Sequence, residues 1–143
     1  MRTAIFALAA LPAFAQLVSH PDAPVRIGHY HLNVTSIEAH KKFWAGTLGG
    51  KAMKFGSIDV IEFPDAFIFL RVQKPAGPTR GTAFDHIGFE IKNLEAFTKK
   101  LDAQGIKLDR PYTKVPQLGI AIAFIKDPWG TNIEMTEGLA DIK

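Results

Sequence analysis

His29-Tyr30-His31-Leu32-Asn33-Val34-Thr35-Ser36-Ile37-Glu38-Ala39 returns further along the chain as His86-Ile87-Gly88-Phe89-Glu90-Ile91-Lys92-Asn93-Leu94-Glu95-Ala96, at a constant offset of 57 residues with no gap. Histidine meets histidine, Glu38 meets Glu95 and Ala39 meets Ala96, while Leu32, Val34, Ile37 and Trp44 meet Phe89, Ile91, Leu94 and Leu101. Self-similarity at a fixed offset is the signature of a duplicated supersecondary unit. In the first copy Tyr30, Leu32 and Val34 fall on one face of a strand, and His29, His31 and Asn33 on the other. The second copy repeats this, with Ile87, Phe89 and Ile91 opposite His86, Gly88 and Glu90.

Each strand runs straight into a helix. Thr35-Ser36-Ile37-Glu38 reads as a capping box, with Ile37, Phe43, Trp44 and Leu48 as the apolar stripe and Gly49-Gly50 as the stop. In the second copy Asn93 reads as an N-cap, Leu94, Phe97 and Leu101 as the buried face, and Gly105 as the stop. Strands are predicted over 57–63 and 66–72, turning at Pro64-Asp65, and over 120–126, turning at Asp127-Pro128-Trp129-Gly130 into a last strand. That last strand puts Ile133 and Met135 on one face and Asn132, Glu134 and Thr136 on the other. Helices on the apolar faces leave the polar faces to form a concavity.

Arg2, the uncharged stretch 3–11 and Ala13-Phe14-Ala15 predict a cleaved secretory signal over residues 1–15, cut after Ala15. The apolar run is far below the roughly 18 residues a spanning helix needs. A short extension (16–24), one domain (25–139, with modules at about 25–73 and 82–139) and a tail (140–143) follow. The expected location is periplasmic or secreted, with no membrane contact after cleavage. The chain has no cysteine, which excludes disulfides and thiolate metal sites. Its net charge of +3 comes from dispersed lysines, and with no basic stripe carrying aromatics, nucleic acid is not an expected partner.

Into the concavity three strands send His29, His86 and Glu134. Two imidazoles and a carboxylate are the donor set of a facial triad, which holds a divalent ion and leaves neighbouring positions open. Nitrogen and oxygen donors without sulfur suit Fe, Mn, Zn or Ni, and the sequence does not choose among them. A lone strand histidine is more often structural; it is the repeat-related pair that favours a metal. His31 shares the face of His29 and is the candidate catalytic residue, imidazole being suited to proton transfer near neutral pH. Phe67, Phe69 and Arg71 share a strand face and form a candidate substrate pocket, half aromatic with a cation at its edge; ordinary packing of the two rings is the competing reading. Lys114, placed in a loop before the second-last strand, is a candidate contact for an anionic substrate. His20 and His40 receive no role.

The span from His29 to Gly138 is similar to the vicinal oxygen chelate superfamily, which includes glyoxalase I, extradiol dioxygenases, fosfomycin-resistance thiol transferases, methylmalonyl-CoA epimerase and the metal-free bleomycin-binding proteins. The stretches that carry the likeness are His29-Tyr30-His31-Leu32-Asn33-Val34, Phe43-Trp44 with Leu48-Gly49-Gly50, Asp85-His86-Ile87-Gly88-Phe89, and Asp127-Pro128-Trp129-Gly130 through Glu134. The resemblance implies an α+β fold of two βαβββ modules in a partly open, barrel-like mixed sheet. It also implies a homodimer acting on a small organic molecule, with the site inside one chain or shared by two.

It favours His29 over His31 as ligand, beside His86 and Glu134, and puts the fourth family position at Phe69. Glyoxalase I normally has an acid or amide there, so Phe69 disfavours that activity; Glu62, on the preceding strand, would serve only if the register were shifted. Three ligands resemble the extradiol dioxygenases and the thiol transferases instead. The expected function is an exported metal-dependent enzyme of lyase, isomerase or dioxygenase type that chelates vicinal oxygens of its substrate. The alternative is a non-catalytic binding protein of the bleomycin-resistance type.

Overall fold

The computed structural model describes residues 24–141 apart from 26 and 65. The expected signal peptide and most of the extension after it lie outside that range. Module one consists of β1 (His29–Val34), α1 (Ile37–Gly46), β2 (Lys51–Phe55), β3 (Ile58–Phe63) and β4 (Ala66–Val72). Module two repeats the order with β5 (Ile87–Glu90), α2 (Leu94–Ala103), β6 (Arg110–Val115), β7 (Ile120–Lys126) and β8 (Asn132–Glu137). The sheets are ordered β1-β4-β3-β2 and β5-β8-β7-β6. In each, the first and last strands of the module pair in parallel and the remaining pairs are antiparallel. These two four-stranded mixed sheets do not close into a barrel, and the α+β class of two βαβββ modules is the architecture expected from the repeat.

The strands that sequence patterning did not resolve are the outermost ones. β2 is exposed or half-buried along its whole length, so its residues show no buried alternation. β6 carries Pro111, which is tolerated on a sheet edge because it removes a hydrogen-bond donor that would face solvent.

Ser36 is the N-cap of α1, accepting from the Ala39 N–H at 3.3 Å. That is one residue later than the box Thr35 to Glu38 requires, so Glu38 does not reach back to the cap and pairs with Lys41 at 3.1 Å instead. Asn93 caps α2 as expected, in a left-handed conformation (φ 56°). The Glu137 carboxylate accepts from the N–H groups of Asn93 and Leu94 at 3.0 and 3.1 Å, which satisfies donors that a helix start leaves free.

A single apolar core joins both modules. Trp44 of α1 and Leu94 and Leu101 of α2 are fully buried, and Phe63 of β3 meets Phe89 of β5 with ring centroids 4.9 Å apart. Gly50 sits in this core, where an added Cβ would lie 2.7 Å from the Phe63 ring and press on Ile61 as well. Gly50→Ala is therefore expected to lower stability by about 1–3 kcal/mol, read as a lower denaturation midpoint at constant slope.

A second contact between the modules is polar and buried. His40 of α1 is completely buried and stacks on Trp129 at 3.7 Å between centroids. Its Nδ1 is 3.2 Å from the Ser36 carbonyl, and its Nε2 faces the Asp127 carboxylate at 3.3 Å, off line for a hydrogen bond. Asp127 in turn accepts from the N–H groups of Trp129 (2.9 Å) and Thr131 (2.8 Å), and the Trp129 indole N–H donates to Thr35. Burial works against ionisation of Asp127, but the His40 ring and the Thr131 and Trp129 donors outweigh it and hold its pKa below the usual 3.8. His40 thus has a structural role: it occupies the α1 position that Phe97 fills in α2, and ties that helix to the turn before β8.

Candidate functional site

Pairing register fixes which side chains share the faces turned away from the helices. In module two, Gly88 of β5 is level with Glu134 of β8, and Glu134 with Phe124 of β7. In module one, His31 of β1 is level with Phe69 of β4, and Phe69 with Val60 of β3. His31 and Gly88 are related by the repeat, so Phe69 occupies the position that Glu134 holds in the other module. The register shift that would have brought Glu62 to that position is absent. Glu62 lies level with Phe67, one strand over, and is paired with Lys51 at 3.3 Å.

His86 precedes β5 directly, and its Nε2 lies 2.9 Å from Glu134 Oε2, with the two side chains 37% and 22% exposed. Two ligand bonds of about 2.1 Å at a right angle place their donor atoms about 3 Å apart. The pair therefore has the spacing of two adjacent ligands on one ion, and its donor chemistry fits a divalent metal. The Phe124 ring closes one side of the imidazole, edge-on at 5.9 Å.

Module one has a ring where module two has a carboxylate. His29 stacks on Phe69 at 4.7 Å and 25°, and His31 meets the same ring edge-on at 5.7 Å. The two imidazole centroids are 6.0 Å apart, and Phe55 of β2 adds a further ring 6.1 Å from Phe69. Phe67 and Arg71 lie on this face, both exposed, level with His29 and Asn33. His31 also lines an open cleft of about 390 Å³ with Asn33, Thr79, Trp129 and Thr131.

Lys114 is placed differently from its sequence reading. It lies within β6, not a loop, and is level with Ala121, a core residue on the helix-side face. There its charge reinforces Lys99 in holding the Glu95 carboxyl of α2 below its usual value. In this chain it points away from the face that carries Glu134.

Asp85 is the site residue that the sequence reading passed over, although it stands beside His86. Its Oδ1 accepts from His86 Nδ1 at 2.9 Å, and its Oδ2 from the Gly81 N–H at 2.7 Å. The Gly81 donor first, then His86, holds the Asp85 carboxyl below the usual aspartate value. The adjacency Asp-His was a readable signal, since imidazoles that face a ligand through one nitrogen are commonly held through the other.

Among the described residues, no three His, Asp or Glu side chains converge on one point within a single chain. Asp85 and Glu134 engage opposite nitrogens of the His86 ring, and His29 stands on the other sheet. The described residues thus form two separate clusters: an imidazole–carboxylate pair on the β5–β8 sheet, and an aromatic wall with two imidazoles on the β1–β4 sheet.

The sequence model of the glyoxalase/bleomycin resistance protein/dioxygenase superfamily matches residues 26–135. The chain belongs to this superfamily. Several solved structures superpose on most of it. A virulence protein of Salmonella typhimurium is 25% identical with a TM-score of 0.66, covering 80% of this chain and 98% of its own. A lactoylglutathione lyase of Agrobacterium tumefaciens is 17% identical with a TM-score of 0.62, covering 84% and 96%. A superfamily member from Sphaerobacter thermophilus is 18% identical with a TM-score of 0.64, covering 79% and 97%. No curated protein sequence matches the chain. Glyoxalase superfamily proteins bind small molecules, commonly use a divalent metal and often form dimers.

Proposed function

We propose that this superfamily member is an exported metal-dependent enzyme whose divalent ion is held by His29, His86 and Glu134. The observation that carries the reading is the 2.9 Å approach of His86 Nε2 to Glu134 Oε2 on the open face of the second sheet. A bound ion would supply Lewis-acid polarisation of adjacent oxygens on a small organic substrate. The remaining roles fall to side chains. Phe69, with Phe55 and Phe67 beside it, offers an apolar wall against which a planar substrate packs and from which water is excluded. His31, exposed on the same face, gives or takes the substrate proton. Arg71 offers a charge at the rim for an anionic group.

Phe69 leaves the site without the second carboxylate of glyoxalase I, and Glu62 is engaged by Lys51. The proposed chemistry is therefore of the three-ligand kind, ring cleavage or lyase chemistry in place of isomerisation between two carboxylates. Because His29 stands apart from His86 and Glu134 in one chain, the complete site is proposed to form in a homodimer, with the first sheet of each protomer facing the second sheet of its partner. The exposed apolar side chains Phe55, Ile58 and Phe67 favour such a cover, at 66%, 37% and 38% exposure.

Co-expression of His29→Ala and His86→Ala chains tests this arrangement. A shared site leaves one intact ligand set in the mixed dimer, so the isolated heterodimer is expected to bind one ion per two chains while each homodimer binds none. A heterodimer that stays empty while the wild type binds metal would place the site inside one chain. The aromatic wall also supports a second reading, capture of a flat ligand without chemistry, and a wild-type protein that takes up no metal would favour it.

A further inference from the structure

The His86 ring is held from behind by a carboxylate that is itself fastened to two other parts of the fold. Asp85 Oδ1 meets His86 Nδ1 at 2.9 Å, while its Oδ2 is held by the Gly81 N–H at 2.7 Å. Gly81 lies in the segment joining the modules and has φ +82°, a left-handed conformation that glycine adopts at low cost. The Thr79 hydroxyl donates to the Asp85 carbonyl at 2.8 Å and accepts from the Asn132 N–H at 2.8 Å, which ties the same residue to the start of β8. The Asn132 amide, fully buried, reaches Asp85 Oδ1 at 3.4 Å. Asn132 is two residues before Glu134, so one set of hydrogen bonds fixes both members of the imidazole–carboxylate pair.

We propose that Asp85 is a positioning residue that selects the Nδ1–H tautomer of His86 and turns its Nε2 lone pair toward the metal position beside Glu134. An imidazole ring carries its single neutral-state proton on the nitrogen that finds the better acceptor; both carboxylates lie at 2.9 Å, but Asp85 is aligned for a hydrogen bond with Nδ1 while Glu134 lies off line from Nε2. Without it the close acceptor left to the ring is Glu134 Oε2, 2.9 Å from Nε2, and a ring protonated at Nε2 presents a donor where a ligand needs a lone pair. The inference rests on the metal-site reading above for its consequence, but not for the tautomer itself.

The test is long-range ¹H–¹⁵N correlation of the histidine rings in metal-free protein, recorded at a pH where imidazole is neutral, with His86 assigned from the spectrum of His86→Gln. Wild-type His86 is expected as the Nδ1–H tautomer, and Asp85→Ala is expected to move it toward Nε2–H. In Zn²⁺ titrations against a chromophoric chelator, the same variant is expected to lose about 10–100-fold in affinity. A wild-type ring found as Nε2–H overturns the proposal with no variant needed, as does a folded Asp85→Ala protein with unchanged tautomer and affinity. If wild type binds no Zn²⁺, the metal reading fails while the tautomer shift still decides the role of Asp85.

Discussion

His86→Ala is expected to remove metal binding while leaving the fold intact. The imidazole is partly exposed, and among the described residues its close partners are Asp85, Glu134 and the edge of Phe124. Truncation therefore opens no cavity in the core. What it removes is the nitrogen donor that sits at ligand spacing from Glu134, leaving a carboxylate with no adjacent imidazole. Loss of a direct ligand exceeds the roughly 10–100-fold cost of losing an outer-shell partner, so affinity is expected to fall well beyond that range. Competition titration with a chromophoric chelator measures it, and thermal unfolding of the metal-free variant, unchanged from wild type, checks the fold. Retention of a stoichiometric ion by His86→Ala would remove His86 from the ligand set.

Asp127→Ala is expected to have the largest effect on stability. The substitution takes the acceptor away from the Trp129 and Thr131 N–H groups and leaves His40 buried beside no carboxylate. Breaking a buried pair and stranding its donors costs about 3 kcal/mol or more, roughly 10 °C in Tm for a domain of this size. The pH dependence has a definite sign. Because the folded-state pKa of Asp127 is depressed below 3.8, its contribution is complete above that value and is lost as pH falls through the folded-state pKa. Urea midpoints of wild type should therefore drop on acidification below about pH 4, and Asp127→Asn should drop less over the same interval. Equal acid sensitivity of the two proteins would show that the carboxylate carries no such linkage.

The repeat made the fold legible because alternation and offset act together. Once His29 and His86 are aligned, the faces of β1 and β5 follow, and with them the positions of Phe69 and Glu134, which the pairing register then places level with His31 and Gly88. The outer strands were hard to read for the opposite reason. β2 buries no side chain and β6 carries a proline as its second residue, so neither leaves a periodic mark. Lys114 was misplaced with β6, since a residue read into a loop has no defined face.

The polar contact between the modules was hidden because its partners are distant in sequence. His40 interrupts an apolar stripe in α1, and its partners Asp127 and Trp129 lie in a turn of the other module. Asp85 was within reach of the eye, adjacent to a proposed ligand, but its two carboxylate bonds depend on how the segment near Gly81 folds back. The relation of His29 to the His86–Glu134 pair depends on how separate sheets are arranged in space, and no periodicity within one strand encodes it.

The most direct measurement is the metal content of the protein, purified without a metal-binding tag and analysed by elemental mass spectrometry. The account predicts one equivalent of Fe, Mn, Zn or Ni per chain, and iron would direct substrate screening to dioxygen-dependent ring cleavage. A protein that remains metal-free after anaerobic reconstitution with each of these ions would contradict it.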